Sequence, residues 1–549
     1  MCIRDRIRVL HGKVSNNDDI HAGLASHDAA WLGCSCSAAG NLLFPGENRS
    51  MLVAMPGRPD ADDPGSEGSR CPDIFRQAAS FARESRMAYA TINPYTGETV
   101  ATFPDATDAE VRTALDKAHA AFLRWRQTSF AERGGILQNA ADILRRDSDA
   151  YARLLTLEMG KLLTEAKAEV ELSARIFEYY VRNAETLLKP EKLPVLDPAE
   201  GDAVLVHEPL GVLLAIEPWN FPYYQIARIL APQLSAGNTL LLKHASNVPQ
   251  SAAAFEALMR EAGLPEGAFR NLYATRDQIN LIINDPRVHG VALTGSEAAG
   301  AVVASEAGKA LKKSTMELGG ADAFVVLADA DMKKTVDWAV FGRHWNGGQV
   351  CVSSKRMIVV DEVYDAFLDG YRKGVAKLVA GDPFDPRTTL APLSSQKAAD
   401  DIKEQIRKAV GHGAKAEEVG PPVPNRGAFV QPTLLTELAE SNPARYWEFF
   451  GPVSMLFRAR DEDDAVRIAN DSPFGLGGSV FTADPAHGFE VAQRISTGMV
   501  FVNHPTKVEA DLPFGGIRRS GYGRELLGLG LKEFVNHKLI DVVDIEAPF

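Results

Sequence analysis

Val212-Leu213-Leu214-Ala215-Ile216-Glu217-Pro218-Trp219-Asn220-Phe221-Pro222 decides the fold class. The first five residues form a continuous apolar run of strand length, and the prolines and asparagine that follow give a loop. A helix is expected from about Tyr224 to Ala236, then a second apolar run at Thr239-Leu240-Leu241-Leu242-Lys243. A helix from Val248 to Ala262 and strands at 269–272 and 290–293 continue the alternation. Short apolar strands alternating with helices indicate a parallel sheet covered on both faces. Ligands of such sheets bind beyond the carboxyl ends of the strands, which is where Trp219 and Asn220 fall.

Upstream, Thr91 to Glu98 reads as strand, turn and strand, with Asn93-Pro94 and Thr96-Gly97 as the turn. Helices are expected from Asp108, over 131–146, over 147–159 and over 162–188. Downstream of Glu317 the alternation restarts. A strand is expected at 323–327, a helix at 332–343, a strand at 356–360 and a helix at 363–379. A second α/β domain therefore begins near Leu318.

The first 86 residues differ from the rest. They are rich in Gly, Ser, Asp and Pro, show little periodicity, and hold Cys2, Cys34, Cys36 and Cys71. They read as a disordered or non-native extension, with Met87 as a natural start. Cys34-Ser35-Cys36 has no second pair at a metal-ligand spacing, so no metal site is expected. The chain of 549 residues is long enough for two or three domains. A net charge of −13 argues against a partner held by phosphate neutralisation. No apolar run reaches the roughly 18 residues that span a bilayer.

Several stretches carry candidate chemistry. Cys351 lies in Asn346-Gly347-Gly348-Gln349-Val350-Cys351-Val352-Ser353-Ser354-Lys355-Arg356, among glycines and small polar residues that a substrate can approach. Read alone, a cysteine in a long chain is more often a small core residue. Asn220 offers an amide donor suited to an oxyanion, or is a turn asparagine. Lys243, in Lys243-His244-Ala245-Ser246, suits a ribose hydroxyl or a phosphate, or is a solvated lysine. Gly295 and Ser296 end a strand and open a helix, whose free N–H groups suit a phosphate or need only a cap. Glu317, before Leu318-Gly319-Gly320, is a carboxylate whose limited solvation would raise its pKa as a general base requires, or a surface turn. Pro513-Phe514-Gly515-Gly516 reads as a tight loop lining a site.

Together these motifs resemble the aldehyde dehydrogenase family. PWNFP, K-x-x-[ES], TGS, ELGG, GQ-x-C, E-x-F-G-P and PFGG occur in the family's order from Met87 onward, with Glu317 and Cys351 34 residues apart. The resemblance implies a Rossmann-like cofactor domain (87–199 and 213–317), a catalytic domain (318–530) and a small oligomerisation β-flap (200–212 and 531–549). It implies Cys351 as nucleophile, the amide of Asn220 and the N–H of Cys351 as oxyanion donors, and Glu317 as the base for thioester hydrolysis. It places Lys243 and Ser246 at the adenine-side ribose, Gly295 and Ser296 at the pyrophosphate, Glu448 at the nicotinamide ribose, Phe450 beside it and Trp219 along the cofactor path. Serine at 246, where NAD-preferring members carry glutamate, removes a repeller of a 2′-phosphate, so NADP is expected ahead of NAD.

The closest branch by likeness is succinate-semialdehyde dehydrogenase, on Lys243 to Gln250 and on Phe501-Val502-Asn503-His504-Pro505. Two positions depart from it. Trp345 stands six residues before the cysteine, where members of the branch have an arginine, and Glu509 stands for their pocket serine. Arg182, Arg343 or Lys507 are the candidate substitutes, and other aliphatic or aromatic aldehydes remain the alternative substrates. Ser353 replaces a second cysteine of some relatives, so no disulfide is expected at the site. A cytoplasmic homodimer or homotetramer, without nucleic-acid or membrane partners, completes the expectation. An acylating enzyme using coenzyme A and a non-catalytic nucleotide-binding relative are the competing classes.

Overall fold

The computed structural model describes residues 89–195 and 201–546. The expectations for residues 1–86, including four of the five cysteines, lie outside the described residues.

Two sheets, each parallel except for one antiparallel edge strand, organise the described residues. In the first, the order is Gly521–Tyr522, Lys313–Glu317, Val288–Thr294, Val212–Glu217, Thr239–His244, Phe269–Asn271. All pair in parallel except Gly521–Tyr522, which runs antiparallel against Met316 and Glu317. That edge strand comes from the far end of the sequence, so no local pattern announces it. The chain builds outward from Val212–Glu217 in one direction, then returns to its other side at Val288–Thr294. The crevice between these two strands is therefore a topological switch point, the usual ligand position in an open α/β sheet.

Helix Pro222–Ala236 packs under this crevice, with all fifteen residues buried. Pro222 at its first turn suits a position whose N–H would be unpaired anyway. Glu169, on the long helix Leu163–Leu187, accepts the next two N–H groups, from Tyr223 (2.8 Å) and Tyr224 (3.2 Å). Its other oxygen pairs with buried Lys161. A buried pair of this kind costs about 3–5 kcal/mol to break by removing one partner. It fixes where the 217–222 loop leaves the sheet.

The second sheet has the order Lys415–Glu418, Thr433–Thr436, Val453–Ala459, Arg356–Val360, Ala323–Val326, Gly478–Phe481, Phe501–Val502. Its central strand Arg356–Val360 is buried at every position, as a strand covered on both faces should be. A third, antiparallel sheet joins Val535–Val542, Asp202–Pro209 and Glu191–Lys192. Val212 belongs to the first sheet rather than to this one.

The expected elements differ from the observed ones mainly at their ends. Helix Asp361–Val375 begins two residues before the expected start and stops before 379. Residues 377 and 378 tighten into i→i+3 turns, Lys377 N–H to Gly374 O at 3.1 Å and Leu378 N–H to Val375 O at 3.0 Å. No helix among the described residues is long and apolar enough to cross a membrane.

Candidate active site

One cleft of about 250 Å³ opens at the switch point, lined by Trp219, Asn220, Thr294, Gly295, Ser296, Glu317, Gly319, Cys351, Glu448 and Phe450, among others. The nucleophile, donor, base, phosphate and nicotinamide-ribose candidates thus share a single space. Lys243 and Ser246 do not line it. They sit on the neighbouring strand end, at the edge of Thr239–His244.

The cysteine loop owes its shape to three consecutive left-handed residues, Asn346 (φ 54°), Gly347 (φ 64°) and Gly348 (φ 77°). Asparagine and glycine are the residues that tolerate this conformation. Asn346 is held from both ends. Its N–H donates to Glu165 Oε1 (3.0 Å), and its side-chain amide donates to the carbonyl of Asn220 (3.0 Å). Burial pushes the Glu165 carboxyl up to about 7. Asn220 is buried and donates one amide hydrogen to Gln349 O at 3.0 Å, which orients the amide beside the cysteine loop. Asn220 also lines the cleft.

Cys351 is half-buried and carries a free thiol. Removal from water pushes this thiol up to about 12, opposed by the charges of Lys355 and Arg228. In this state the sulfur is held mainly protonated.

Glu317 ends strand Lys313–Glu317 and is 2% exposed, which removes the surface-turn reading. Neither of its carboxylate oxygens has a hydrogen-bond partner. Burial, then the nearby Glu525 carboxylate, raises its pKa well above the ordinary carboxylate range, with Arg228 and Arg524 opposing. The Pro513–Gly516 loop closes over it: a Cβ on Gly515 would meet Glu317 Oε1 at 2.6 Å. Arg228, fully buried on helix Pro222–Ala236, pairs with Glu525 and donates to Thr294 Oγ1 at 2.8 Å. The sequence reading missed both Arg228 and Glu525, because nothing local marks a helical arginine as the counter-charge of a cleft.

The cofactor candidates meet a fitting set of surfaces. Ser296 lines the cleft and caps helix Glu297–Lys309 through Ala299 N–H (3.3 Å). Trp219 and Phe450 meet edge to face at 5.7 Å across the cleft. Glu448 Oε1 accepts the Gly320 N–H at 3.0 Å, and a Cβ on Gly319 would collide with its other oxygen. Gly319 therefore leaves room for this carboxylate, and Gly320 gives it a backbone donor. Lys243 is half-buried above the Tyr89 ring (5.6 Å), and burial, helped by Arg276, lowers its ammonium to about 8. The solvated-lysine reading does not hold.

Two of the expected carboxylate-binding substitutes fail. Arg343 is fully buried and donates to the carbonyls of Val453, Phe449 and Gly451 and to Ser353 Oγ. Arg182 is an exposed partner of Glu178. Lys507 lies 3.6 Å from Glu509, which also pairs with Arg175 at 2.7 Å. Arg175 was not among the candidates. Trp345 packs on Phe221 (5.1 Å) and stacks on Phe341 (6.0 Å).

The sequence matches the Aldehyde dehydrogenase family over residues 81–540. It is 49% identical to a succinate-semialdehyde dehydrogenase [NADP(+)] of Deinococcus radiodurans, covering 82% of this chain and 94% of the relative. It is 44% identical to the like-named protein of Mycolicibacterium paratuberculosis, over 83% and 96% of the two chains. The crystal structure of succinic semialdehyde dehydrogenase from Streptococcus pyogenes in complex with NADP+ superposes with a TM-score of 0.81. That chain is 47% identical, and the match covers 83% of this chain and all of that one. The protein is a member of the aldehyde dehydrogenase family, an oxidoreductase whose α/β fold presents Cys351, Asn220 and Glu317 to one cleft.

Proposed function

We propose that the enzyme oxidises succinate semialdehyde to succinate with NADP+, NAD+ serving less well. The observation that carries this is the shared cleft of Cys351, Asn220, Glu317 and Glu448 at the switch point, together with the names of the relatives. The Cys351 thiolate attacks the aldehyde carbon. The Asn220 amide and the Cys351 N–H hold the resulting oxyanion, an arrangement worth about 3–4 kcal/mol per donor. A nicotinamide bound against Trp219, Phe450 and Glu448 would supply the hydride acceptor. As the oxyanion collapses, a thioester is left on Cys351. Glu317 then takes a proton from water, the hydroxide adds to the thioester carbon, and the thiolate leaves with release of the acid. A carboxylate with no fixed hydrogen bond suits a base that must meet a transient water.

Gly295, Ser296 and the N-terminus of helix Glu297–Lys309 would receive the pyrophosphate, and Lys243 with Ser246 the adenine ribose and its 2′-phosphate. In this reading 87–199 with 213–317 bind cofactor and 318–530 carry the nucleophile. The antiparallel flap would join subunits through its exposed edge strand Val535–Val542, giving a homodimer or homotetramer. A free catalytic thiol suits the reducing cytoplasm.

A second substrate reading rests on Trp345, which stacks on Phe341 and packs at a tilt on Phe221, and on Glu509, a poor neighbour for an anionic substrate. These favour a neutral aromatic or medium-chain aldehyde. Initial rates with succinate semialdehyde, benzaldehyde and hexanal, each with NADP+ and NAD+, decide between them. Higher kcat/KM for either neutral aldehyde overturns the first reading. Ser246→Glu should shift preference from NADP+ toward NAD+ by about tenfold or more, since like charges brought together cost several kcal/mol. An unchanged ratio removes Ser246 from the 2′-phosphate site.

A further inference from the structure

Lys355 follows the nucleophile by four residues, and its sequence neighbours give no hint of its place. Its side chain is fully buried. The ammonium lies 2.6 Å from Val350 O, 2.7 Å from Cys351 O and 3.1 Å from Glu448 Oε1. The ammonium has three N–H donors and meets three acceptors, two through hydrogen bonds and Glu448 as an ion pair. Two of these acceptors are the backbone of the nucleophile loop. The third is the carboxylate assigned above to the nicotinamide ribose.

This contact is built into the fold rather than chosen by a surface rotamer. Lys355 leads directly into the buried strand Arg356–Val360, and its own carbonyl accepts Met455 N–H at 3.0 Å. The same Glu448 oxygen also accepts the Gly320 N–H. Gly320 itself abuts the same loop, since a Cβ there would meet Cys351 O at 2.7 Å. The charged groups bearing on the thiol are Lys355 and Arg228, which favour its ionised form, and Glu448 and Asp322, which oppose it.

We propose that Lys355 is a positioning residue for aldehyde oxidation: its buried ammonium ties the carbonyls of Val350 and Cys351 to Glu448, so that occupation of the ribose site is felt at the sulfur. This rests on the reading of Glu448 as the ribose-binding carboxylate. When ribose hydroxyls engage Glu448, that carboxylate offsets the ammonium less, and the field of Lys355 at Cys351 grows.

The test follows alkylation of Cys351 by iodoacetamide in the full chain, read on the peptide that carries it, from pH 6 to 10 with and without saturating NADP+. Wild type should alkylate several-fold faster with NADP+. Lys355→Met should slow the reaction without cofactor at pH 8 by at least about tenfold, one unit of thiol pKa, and lose the NADP+ response. Lys355→Arg, which keeps the charge, should recover most of the cofactor-free rate. Glu448→Gln should raise the cofactor-free rate and also lose the response, and it carries the test if Lys355→Met does not fold. A wild-type pH profile in Lys355→Met, or a full NADP+ response in Glu448→Gln, overturns the proposal. NADPH fluorescence separates the underlying reading: if Glu448→Gln binds NADPH as tightly as wild type, the ribose assignment fails, whereas the cofactor-free rate of Lys355→Met does not depend on it.

Discussion

Beside Cys351 two buried cations are tied to backbone: Arg343 donates to the carbonyls of Val453, Phe449 and Gly451, and Lys355 to those of Val350 and Cys351. Across the cleft, Glu317 is just as buried, yet neither of its oxygens reaches a donor. An unpaired buried carboxylate is costly, and fold stability alone would not retain it. The difference separates two jobs. The nucleophile loop must hold one geometry through attack and release, so the carbonyls of Val350 and Cys351 are tied to a buried ammonium. The base must accept a proton from a mobile water, so its oxygens are left open and its pKa is raised.

The strongest way to break this comparison is to remove the sulfur. Cys351→Ser should lower kcat by more than about 10³-fold with every aldehyde, because the weaker nucleophile is also the poorer leaving group. Near wild-type turnover would show that the chemistry lies elsewhere. Glu317→Gln comes next. Steady-state turnover should fall about 10²- to 10⁴-fold, while a first-turnover burst of NADPH survives, since only hydrolysis needs the base. The pH dependence sharpens this. The raised pKa keeps Glu317 protonated where an ordinary glutamate is charged, so the basic form appears only as pH rises. Turnover should therefore climb through the neutral and alkaline range in wild type and flatten in Glu317→Gln. A burst lost along with turnover would assign Glu317 to the first half-reaction instead.

Asn220→Ala should cost about 10²- to 10³-fold in kcat, the usual effect of one oxyanion donor, and should abolish the burst as well. A variant that slowed hydrolysis alone would contradict the assigned donor role.

The smallest effect concerns the locked side. The Glu165 carboxyl rises from 4.5 to about 7 on folding. Its contribution to stability is therefore complete below about pH 4.5 and is lost as pH rises to about 7. Glu165→Gln keeps an oxygen for Asn346 N–H without the charge. Relative to wild type it should gain about 3 kcal/mol in unfolding free energy between pH 4.5 and pH 8, measured by urea denaturation. A gain independent of pH would mean that Glu165 does not titrate there.

Motifs that act through backbone shape were legible because their residue types are forced. The glycines around Cys351 and after Glu317 marked loops in the sequence; the structure shows that Asn346-Gly347-Gly348 is left-handed, that Gly319 clears space for Glu448, and that the helix expected from about Tyr224 opens at Pro222. The choice among bland and functional readings was not legible, since it turns on burial. Glu317 at a surface turn and Glu317 under the Pro513–Gly516 loop have the same neighbours in sequence. Arg343 looked like a free substitute for a missing arginine until its guanidinium was found spent on carbonyls about 110 residues away.

The sequence by itself determined the alternation of strand and helix, the switch between two parallel sheets, and the loops that carry Cys351, Asn220 and Glu317, because periodicity and turn chemistry act over a few residues. Only the tertiary structure decided which charges are paired. Lys355 with Glu448, Arg228 with Glu525 and Glu165 with Asn346 join segments far apart in the chain. The physical reason is that the cost of a buried charge depends on what the fold brings within about 3 Å of it, and a linear reading of residue types contains no such distance.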